Sequence, residues 1–166
     1  IVAMDLTLSE EYEAFRAEVA GILADNAVAM PGSDDRGMKN PKRLAWQKLL
    51  IEKGLTARTI PEAYGGFGAE PDLLKSRIIA EEFARSGAAR PLANQGISML
   101  VPTLLELGTE AQKAAYIRPT LHGEMVWCQG YSEPNAGSDL ASLRTRAIRE
   151  GDEFVVNGQK VWTSHA

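Results

Sequence analysis

A chain of 166 residues, of which 45% are hydrophobic and 24% charged, has the length and composition of a globular protein with a sizeable core. Its net charge of −4 argues against nucleic acid or an anionic membrane as a partner, because either would require a basic face. No apolar run reaches the length of a membrane span, no secretory signal is visible in residues 1–5, and one cysteine cannot form an internal disulfide, so we expect a cytoplasmic protein.

Two helices are predicted in the first third of the chain. Thr7 and Glu10 form a capping-box pattern at the start of the first helix. Asn40 before Pro41 is typical of an N-cap followed by a first-turn proline, and it predicts a second helix that ends near Lys53. The apolar residues of the first helix recur at steps of three and four, which predicts one buried stripe: Leu8, Tyr12, Phe15, Val19 and Ile22.

A turn-rich connection and a third helix follow. Gly66 and Gly68 have part of the spacing of a phosphate loop, but no strand precedes them and a third glycine is missing, so a connecting loop is favoured. The third helix is predicted over residues 71–86. Glu81 and Glu82 on this helix could be candidate catalytic carboxylates, but charged neighbours on a helix usually form a solvated face, and we expect both to point outward.

A further helical stripe precedes a change of periodicity. Pro102 inside this stripe predicts either a kink or the start of a new helix. Thr109 begins a capping box for a short helix that ends near Arg118. Beyond this helix the pattern becomes strand-like, which predicts a helical domain over residues 1–123 and a β domain over residues 124–166. The stripe itself consists of Ile97, Leu100, Val101, Leu104 and Leu105.

Four strands are predicted in the β domain, over residues 127–131, 144–149, 154–157 and 159–163. The apolar run 125–128 favours burial of the first strand. A Gly-Asp turn at 151–152 joins the second strand to the third, and an Asn-Gly hairpin turn at 157–158 joins the third to the fourth. Short turns between consecutive strands predict an antiparallel meander, so the chain is placed in the α+β class. Because the fourth strand ends with the chain, the sheet is expected to lack a neighbour.

Small polar residues break the chain after the first predicted strand. The run Ser-Glu-Pro-Asn-Ala-Gly-Ser-Asp at 132–139 brings backbone N–H groups and hydroxyls to the edge of the sheet. Such an edge suits a planar hydrogen-bonding ligand or a phosphate. A second segment, Asn-Gly-Gln-Lys-Val-Trp-Thr-Ser at 157–164, ends in an aromatic residue and two hydroxyls.

These two segments, together with Gly-Asp at 151–152, resemble the signature of the acyl-CoA dehydrogenase family of flavoenzymes. The helical pattern upstream is similar as well. The resemblance implies an N-terminal all-α bundle followed by the first antiparallel strands of a β-barrel-like domain, with noncovalently bound FAD. Family members continue into a C-terminal helical bundle that carries a glutamate base. The resemblance therefore implies no catalytic residue in this chain, and an inactive fragment if the chain stands alone.

The resemblance also assigns roles to residues of both segments. Ser132 matches a residue that hydrogen-bonds the pyrimidine ring of the isoalloxazine, and Ser138 matches one that reaches the acyl-CoA ligand and the phosphate side of the flavin. Trp162 matches a tryptophan that packs on the flavin, and Ser164 matches a hydroxyl that points at flavin N5. Ser138 is thus predicted to bind substrate as well as cofactor. The predicted cofactor-binding set is Gln129, Tyr131, Ser132, Gly137, Ser138, Trp162, Thr163 and Ser164.

The chemistry that the resemblance implies is α,β-dehydrogenation of an acyl-CoA thioester. A carboxylate base takes the α proton while the β hydride passes to flavin N5. The implied electron acceptor is an electron-transfer flavoprotein, and the implied assembly is a homo- or hetero-oligomer. The segments 138–144 and 162–164 look like those of members that act on sterol side-chain or other bulky CoA esters. Fatty-acid or sterol side-chain oxidation is therefore the expected process.

Other interpretations stay open. Ser132 and Ser138 taken alone are typical of turn hydroxyls, and Trp162 is typical of a core aromatic residue. Cys128 is expected to be a buried strand residue, because no basic neighbour activates it. The alternative functions are a non-catalytic partner subunit of a heteromeric dehydrogenase, a flavin oxidase or monooxygenase of the same superfamily, and a helical interaction module without a ligand.

Two further kinds of site are not expected. Ser138, Asp139 and His165 could be combined into a hydrolase triad, but the Gly-x-Ser-x-Gly elbow that positions such a serine is absent. His122 and His165 are far apart in the sequence and no Cys/His cluster exists, so no metal site is expected.

Overall fold

The computed structural model of the chain describes residues 8–164. Contacts between residues divide it into two compact units on either side of the Met125–Val126 bond. The N-terminal unit is helical, and the C-terminal unit contains a two-stranded antiparallel sheet. The predicted α+β class, with helices first and antiparallel strands after them, is confirmed.

Over its described residues, 8–125, the N-terminal unit contains a short π-helical turn, Gly96–Leu100, and five α-helices. None of the helices in residues 8–164 combines the length and the apolar character that crossing a membrane demands. In chain order the helices are α1 (Glu10–Asp25), α2 (Pro41–Glu52), α3 (Leu73–Ser86), α4 (Val101–Leu107) and α5 (Glu110–Leu121).

Two predicted helix starts are confirmed by their caps. The Asn40 side-chain oxygen accepts hydrogen bonds from the N–H groups of Lys42 and Arg43, at 2.9 and 3.3 Å, and so begins α2. At the start of α5, the Thr109 hydroxyl and the Gln112 side chain each bond the other residue's backbone, which is a complete capping box. Both signals lie within four residues of sequence, which is why the sequence alone predicts them.

Three other predicted boundaries differ from the observed ones. The predicted capping residue of α1, Thr7, lies outside the described residues, and α1 begins at Glu10. Helix α3 begins two residues later than predicted, because the Asp72 carboxylate accepts the Lys75 N–H and caps the helix there. At Pro102 no separate helix begins, since the π-turn Gly96–Leu100 runs directly into α4 and the backbone angles at Leu100 and Val101 are helical.

The helical unit has two apolar clusters. One is formed by Val19, Leu23, Trp46, Leu50, Leu55, Ile79, Phe83 and Ala88. The other is formed by Ile51, Val101, Leu104, Ile117 and Leu121. A buried polar side chain completes the packing: Gln47, which is 1% exposed, donates to the Leu121 carbonyl and accepts the Leu92 N–H, each at 2.9 Å. This glutamine ties α2 both to the end of α5 and to the connection before the π-turn.

The prediction that Glu82 points outward is wrong. Glu82 is 2% exposed, and its carboxylate accepts a hydrogen bond from Arg16 on α1 at 3.0 Å. The same guanidinium reaches Glu81 at 2.9 Å. Because α1 packs on α3 and supplies this cation, a carboxylate that a solitary helix would expose becomes part of the helix–helix contact.

The sheet of the C-terminal unit is a single hairpin. Strand β1 (Arg146–Glu150) pairs antiparallel with β2 (Glu153–Asn157), with Ala147 opposite Val156 and Ile148 opposite Val155. The Gly-Asp turn at 151–152 joins the two strands. The second and third predicted strands and their pairing are therefore confirmed.

The first and fourth predicted strands are not formed, so the predicted four-stranded meander is wrong. Residues 127–131 have no ladder partner in the described chain. The two residues that begin the apolar stretch are bonded back to α5, because the N–H groups of Glu124 and Met125 both donate to the Pro119 carbonyl, at 2.9 and 3.0 Å. Cys128, expected to be buried, is exposed.

The segment that follows β2 does not turn back along it. A Cβ atom at Gly158 would overlap the side chain of Thr145, so glycine allows the chain to cross close to the start of the hairpin. The Val161 N–H then donates to the Ser132 carbonyl at 2.9 Å, which places residues 159–163 beside the polar run and not beside β2. Trp162 has a φ of 59°, and this left-handed conformation ends any extended run.

Candidate functional site

The polar run at 132–139 opens with a tight turn. The Glu133 N–H donates to the Ala136 carbonyl at 2.8 Å, and the Ala136 N–H donates to the Glu133 carbonyl at 3.1 Å. Pro134 occupies the first central position of this turn, where its restricted φ is favourable. Gly137 and Ser138 follow the turn on the surface, and a Cβ atom at Gly137 would meet only open space. Asn135 in the turn and Ser138 after it are therefore exposed to solvent.

A buried carboxylate anchors this turn. The Glu133 side chain is 6% exposed, and it accepts hydrogen bonds from the Arg144 N–H at 2.7 Å and the Thr145 N–H at 3.0 Å. The Lys160 ammonium also donates to it, at 3.0 Å. Three donors from two later parts of the chain therefore meet at one side chain.

These neighbours make Glu133 a very weak base. The Thr145 side chain, the Arg144 N–H and the Lys160 ammonium, in that order, lower the pKa of Glu133 from 4.5 to about 2. The Thr145 hydroxyl faces the carboxylate but does not reach hydrogen-bond geometry. The two backbone N–H groups and Lys160 are therefore the bonds that hold the carboxylate charged.

The two predicted halves of the site are brought together. Lys160 donates to the Tyr131 carbonyl at 3.0 Å, in addition to Glu133, and the Val161 N–H donates to the Ser132 carbonyl at 2.9 Å. The segment that ends in Trp162 therefore runs alongside the segment that contains Ser132. The resemblance assigned both segments to one flavin site, and they come together without the predicted strands.

The predicted cofactor-binding residues all lie in the C-terminal unit and near its surface. Trp162 is 87% exposed and Tyr131 61% exposed. In the part of the chain that is described, no hydrogen bond joins Ser138 to residues 160–164. The other predicted residues are half-buried (Gln129, Ser132, Thr163) or exposed (Gly137, Ser164).

Glu133 and Lys160 organise the site, although neither was predicted to have a role in it. Both residues belong to the two segments that the resemblance assigned to one site, and their opposite charges were a signal that the segments could pair.

The exposed residues of the two adjacent segments, 129–138 and 160–164, fit a flavin. Trp162 offers an exposed aromatic surface for a flat ring, and within residues 8–164 the hydroxyls of Ser132 and Ser138 have no hydrogen-bond partner. A ring with carbonyl and N–H groups along one edge would use such hydroxyls. The open space beside Gly137 would allow a ligand to approach the backbone.

Two family models match the chain. Residues 9–124 match the acyl-CoA dehydrogenase N-terminal domain, and residues 128–166 match the acyl-CoA dehydrogenase middle domain. Among curated relatives, the acyl-CoA dehydrogenase IpdE1 of Mycobacterium tuberculosis is 42% identical over 166 residues, a match that covers 95% of this chain and 42% of that protein. The acyl-CoA dehydrogenase FadE34 of the same organism is 41% identical over 150 residues, covering 90% of this chain and 20% of that protein.

Solved structures give the same result. The ChsE4-ChsE5 complex from Mycobacterium tuberculosis matches with a TM-score of 0.69 and 32% identity, over 98% of this chain and 41% of that one. The Tcur3481-Tcur3483 steroid ACAD matches with a TM-score of 0.66 and 35% identity, over 97% of this chain and 41% of that one. The chain thus spans less than half of the length of these relatives.

The helical unit and the residues after it match the N-terminal and middle domains of one class of proteins, the acyl-CoA-related flavoproteins. In particular, the chain belongs to the acyl-CoA dehydrogenase family, whose members are FAD-dependent flavoproteins.

Proposed function

We propose that the full-length protein catalyses FAD-dependent α,β-dehydrogenation of an acyl-CoA thioester. The supporting observation is the adjacency of the Ser132 and Trp162 segments, which are joined by the Val161–Ser132 hydrogen bond of 2.9 Å and by Lys160. When bound, the flavin supplies an acceptor for the hydride that leaves the β carbon.

Binding and orientation of the cofactor are assigned to four residues. The Ser132 hydroxyl would donate to the pyrimidine edge of the ring system, and Trp162 would cover one side of the ring and exclude water from it. The Ser164 hydroxyl would stabilise charge that develops at N5. Ser138 would contact the CoA ester and the phosphate side of the cofactor. The exposure of Trp162, Ser138 and Ser164 and the partial exposure of Ser132 support the assignment, because a ligand would then complete their burial.

The α proton is assigned to a base outside this part of the protein. A general base needs a pKa near the working pH, but three donors hold the pKa of Glu133 at about 2. The Asp139 carboxylate is engaged by the Ser142 hydroxyl. We therefore infer that the chain contributes part of the flavin site and that another part of the protein contributes a glutamate base.

The substrate is assigned to the bulky, steroid-type CoA esters, and the electron acceptor to an electron-transfer flavoprotein. The support for the substrate is that one solved neighbour is named a steroid ACAD. A second candidate function, a subunit without a base in a heteromeric dehydrogenase, is supported by the naming of two neighbours as pairs of different proteins.

The test uses purified full-length protein. We expect a bound-flavin absorption band, and we expect it to bleach when a steroid side-chain CoA ester is added without oxygen, with the enoyl-CoA product detected by mass spectrometry. A short-chain acyl-CoA serves as the comparison substrate. Bleaching by neither ester, despite bound flavin, would contradict catalysis by this protein alone. Recovery of bleaching only after a second subunit is added would then support the subunit function.

The acceptor is tested separately, because a solved neighbour is named an acyl carrier protein oxidase. The bleached protein is mixed either with oxygen or with an electron-transfer flavoprotein. Fast reoxidation by the flavoprotein and slow reoxidation by oxygen are expected. The reverse order would favour the oxidase alternative.

A further inference from the structure

The C-terminal unit is organised around a carboxylate and not around an apolar core. Among its described residues, 126–164, only Glu133 and Ala136 are buried, and both strands of the hairpin are exposed along their length. Removal of a carboxylate from water is unfavourable unless hydrogen bonds replace the lost hydration. The burial of Glu133 therefore needs a reason, and the reason lies in what its bonds hold in place.

The hydrogen bonds of this cluster lie on both sequence neighbours of Ser132 and on Ser132 itself. Lys160 donates to the carbonyl of the residue before it, Tyr131, and to the carboxylate of the residue after it, Glu133, each at 3.0 Å. Between these two bonds, the Ser132 carbonyl accepts the Val161 N–H at 2.9 Å. The backbone of Ser132 is thus fixed beside Lys160 and Val161 by bonds to the residue before it and the residue after it.

The Glu133 carboxylate also bonds to the residues just before the hairpin. Its oxygens accept the N–H groups of Arg144 and Thr145, at 2.7 and 3.0 Å, just before β1 begins. Hydrogen bonds between charged partners are stronger than those between neutral partners, so this cluster is a firmer link than the hairpin alone would provide. The turn, the start of the hairpin and the segment before Trp162 are held as one body.

We propose that Glu133 and Lys160 are positioning residues, which hold the Ser132 segment beside the Trp162 segment so that the surface they form is preformed for a flavin. The inference rests on the proposed function, because it takes a flavin as the ligand of this surface. Neither residue needs to touch the ligand. Both act through the backbone on either side of Ser132, and a preformed site binds more tightly because less chain must be ordered on binding.

The test measures FAD affinity in the full-length protein after removal of the bound cofactor. The variants are Glu133→Gln, Lys160→Met and the double variant. We expect each single variant to weaken FAD binding by about 10- to 100-fold, since each removes a charge-assisted hydrogen bond from the cluster. The double variant should bind FAD no more weakly than the single variant with the lower affinity, because Glu133 and Lys160 belong to one hydrogen-bonded cluster.

The matched control is Glu153→Gln, which makes the same change of charge on an exposed residue of β2. Its FAD affinity should equal that of the unaltered protein. Lys160→Arg, which keeps the cation, should recover most of the affinity lost in Lys160→Met. The absorption band of the flavin that does bind should also change shape in Glu133→Gln, a change that reduced stability alone would not produce.

The outcomes separate this inference from the proposed function. Lack of FAD affinity in the unaltered protein would refute the proposed function and this inference with it. Tight binding in the unaltered protein together with equally tight binding in Glu133→Gln and Lys160→Met would refute the inference alone. Additive losses in the double variant, or the same loss in Glu153→Gln, would also overturn it. If Glu133→Gln fails to fold, the Lys160→Met and Lys160→Arg pair decides the question.

Discussion

Replacement of Gln47 by leucine should destabilise the helical unit far more than its small change in volume suggests. In Gln47→Leu, the Leu121 carbonyl and the Leu92 N–H lose the 2.9 Å bonds that satisfy them, and both groups belong to buried residues. Each unsatisfied buried group costs about 1–3 kcal/mol, and the added apolar contact offsets part of the sum, so we expect a loss of about 2–5 kcal/mol in the free energy of unfolding.

The matched control is the same substitution at Gln95, whose side-chain oxygen is buried without a partner in the described chain. Gln95→Leu should leave the free energy of unfolding unchanged or raise it by up to about 1–3 kcal/mol, because it removes an oxygen that is already unsatisfied. Urea unfolding followed by helical circular dichroism measures both variants, and hydrogen exchange at the Leu92 amide reports the lost bond directly. Equal stability of the two variants, with unchanged protection at Leu92, would refute the reasoning.

Three further predictions concern the C-terminal unit. Because the folded state lowers the pKa of Glu133 from 4.5 to about 2, the carboxylate stabilises the unit above pH 4.5, and this stability is lost as the pH falls towards 2. Hydrogen exchange at Val161 should follow this loss, and the pH dependence should disappear in Glu133→Gln. Trp162→Ala should weaken FAD binding by about tenfold or more and shift its absorption band, whereas Phe154→Ala, which removes another exposed aromatic side chain, should do neither. Ser138→Ala should raise the dissociation constant for the CoA ester or FAD, and a covalent acyl adduct trapped on Ser138 would instead revive the hydrolase interpretation.

The features that the sequence predicts well are local ones. The Asn40 and Thr109 caps depend on residues within four positions, and the hairpin depends on a two-residue turn. The errors arise where a distant residue decides the outcome. Glu82 is buried because Arg16, 66 positions away, neutralises it. No periodicity in either helix carries that information.

The same distinction applies to the candidate site. The two polar segments could be recognised from their residue types and spacing, but their connection could not. The predicted fourth strand fails because Val161 bonds to Ser132, 29 positions earlier, in place of a residue of β2. Alternating apolar residues indicate an extended chain, yet they do not identify the partner of that chain.

The π-turn before α4 has a consequence for how the length of this chain can vary. Its closing bond runs from the Val101 N–H to the Gly96 carbonyl, five residues back, so this turn holds one residue more than an α-turn does. Deletion of one residue, such as exposed Ser98, would convert it to an α-turn and leave Val101 and Leu104 facing the same apolar cluster. Homologues should therefore gain or lose a single residue here more readily than inside α2 or α5, where the same change would rotate an apolar stripe by about 100° away from its contacts.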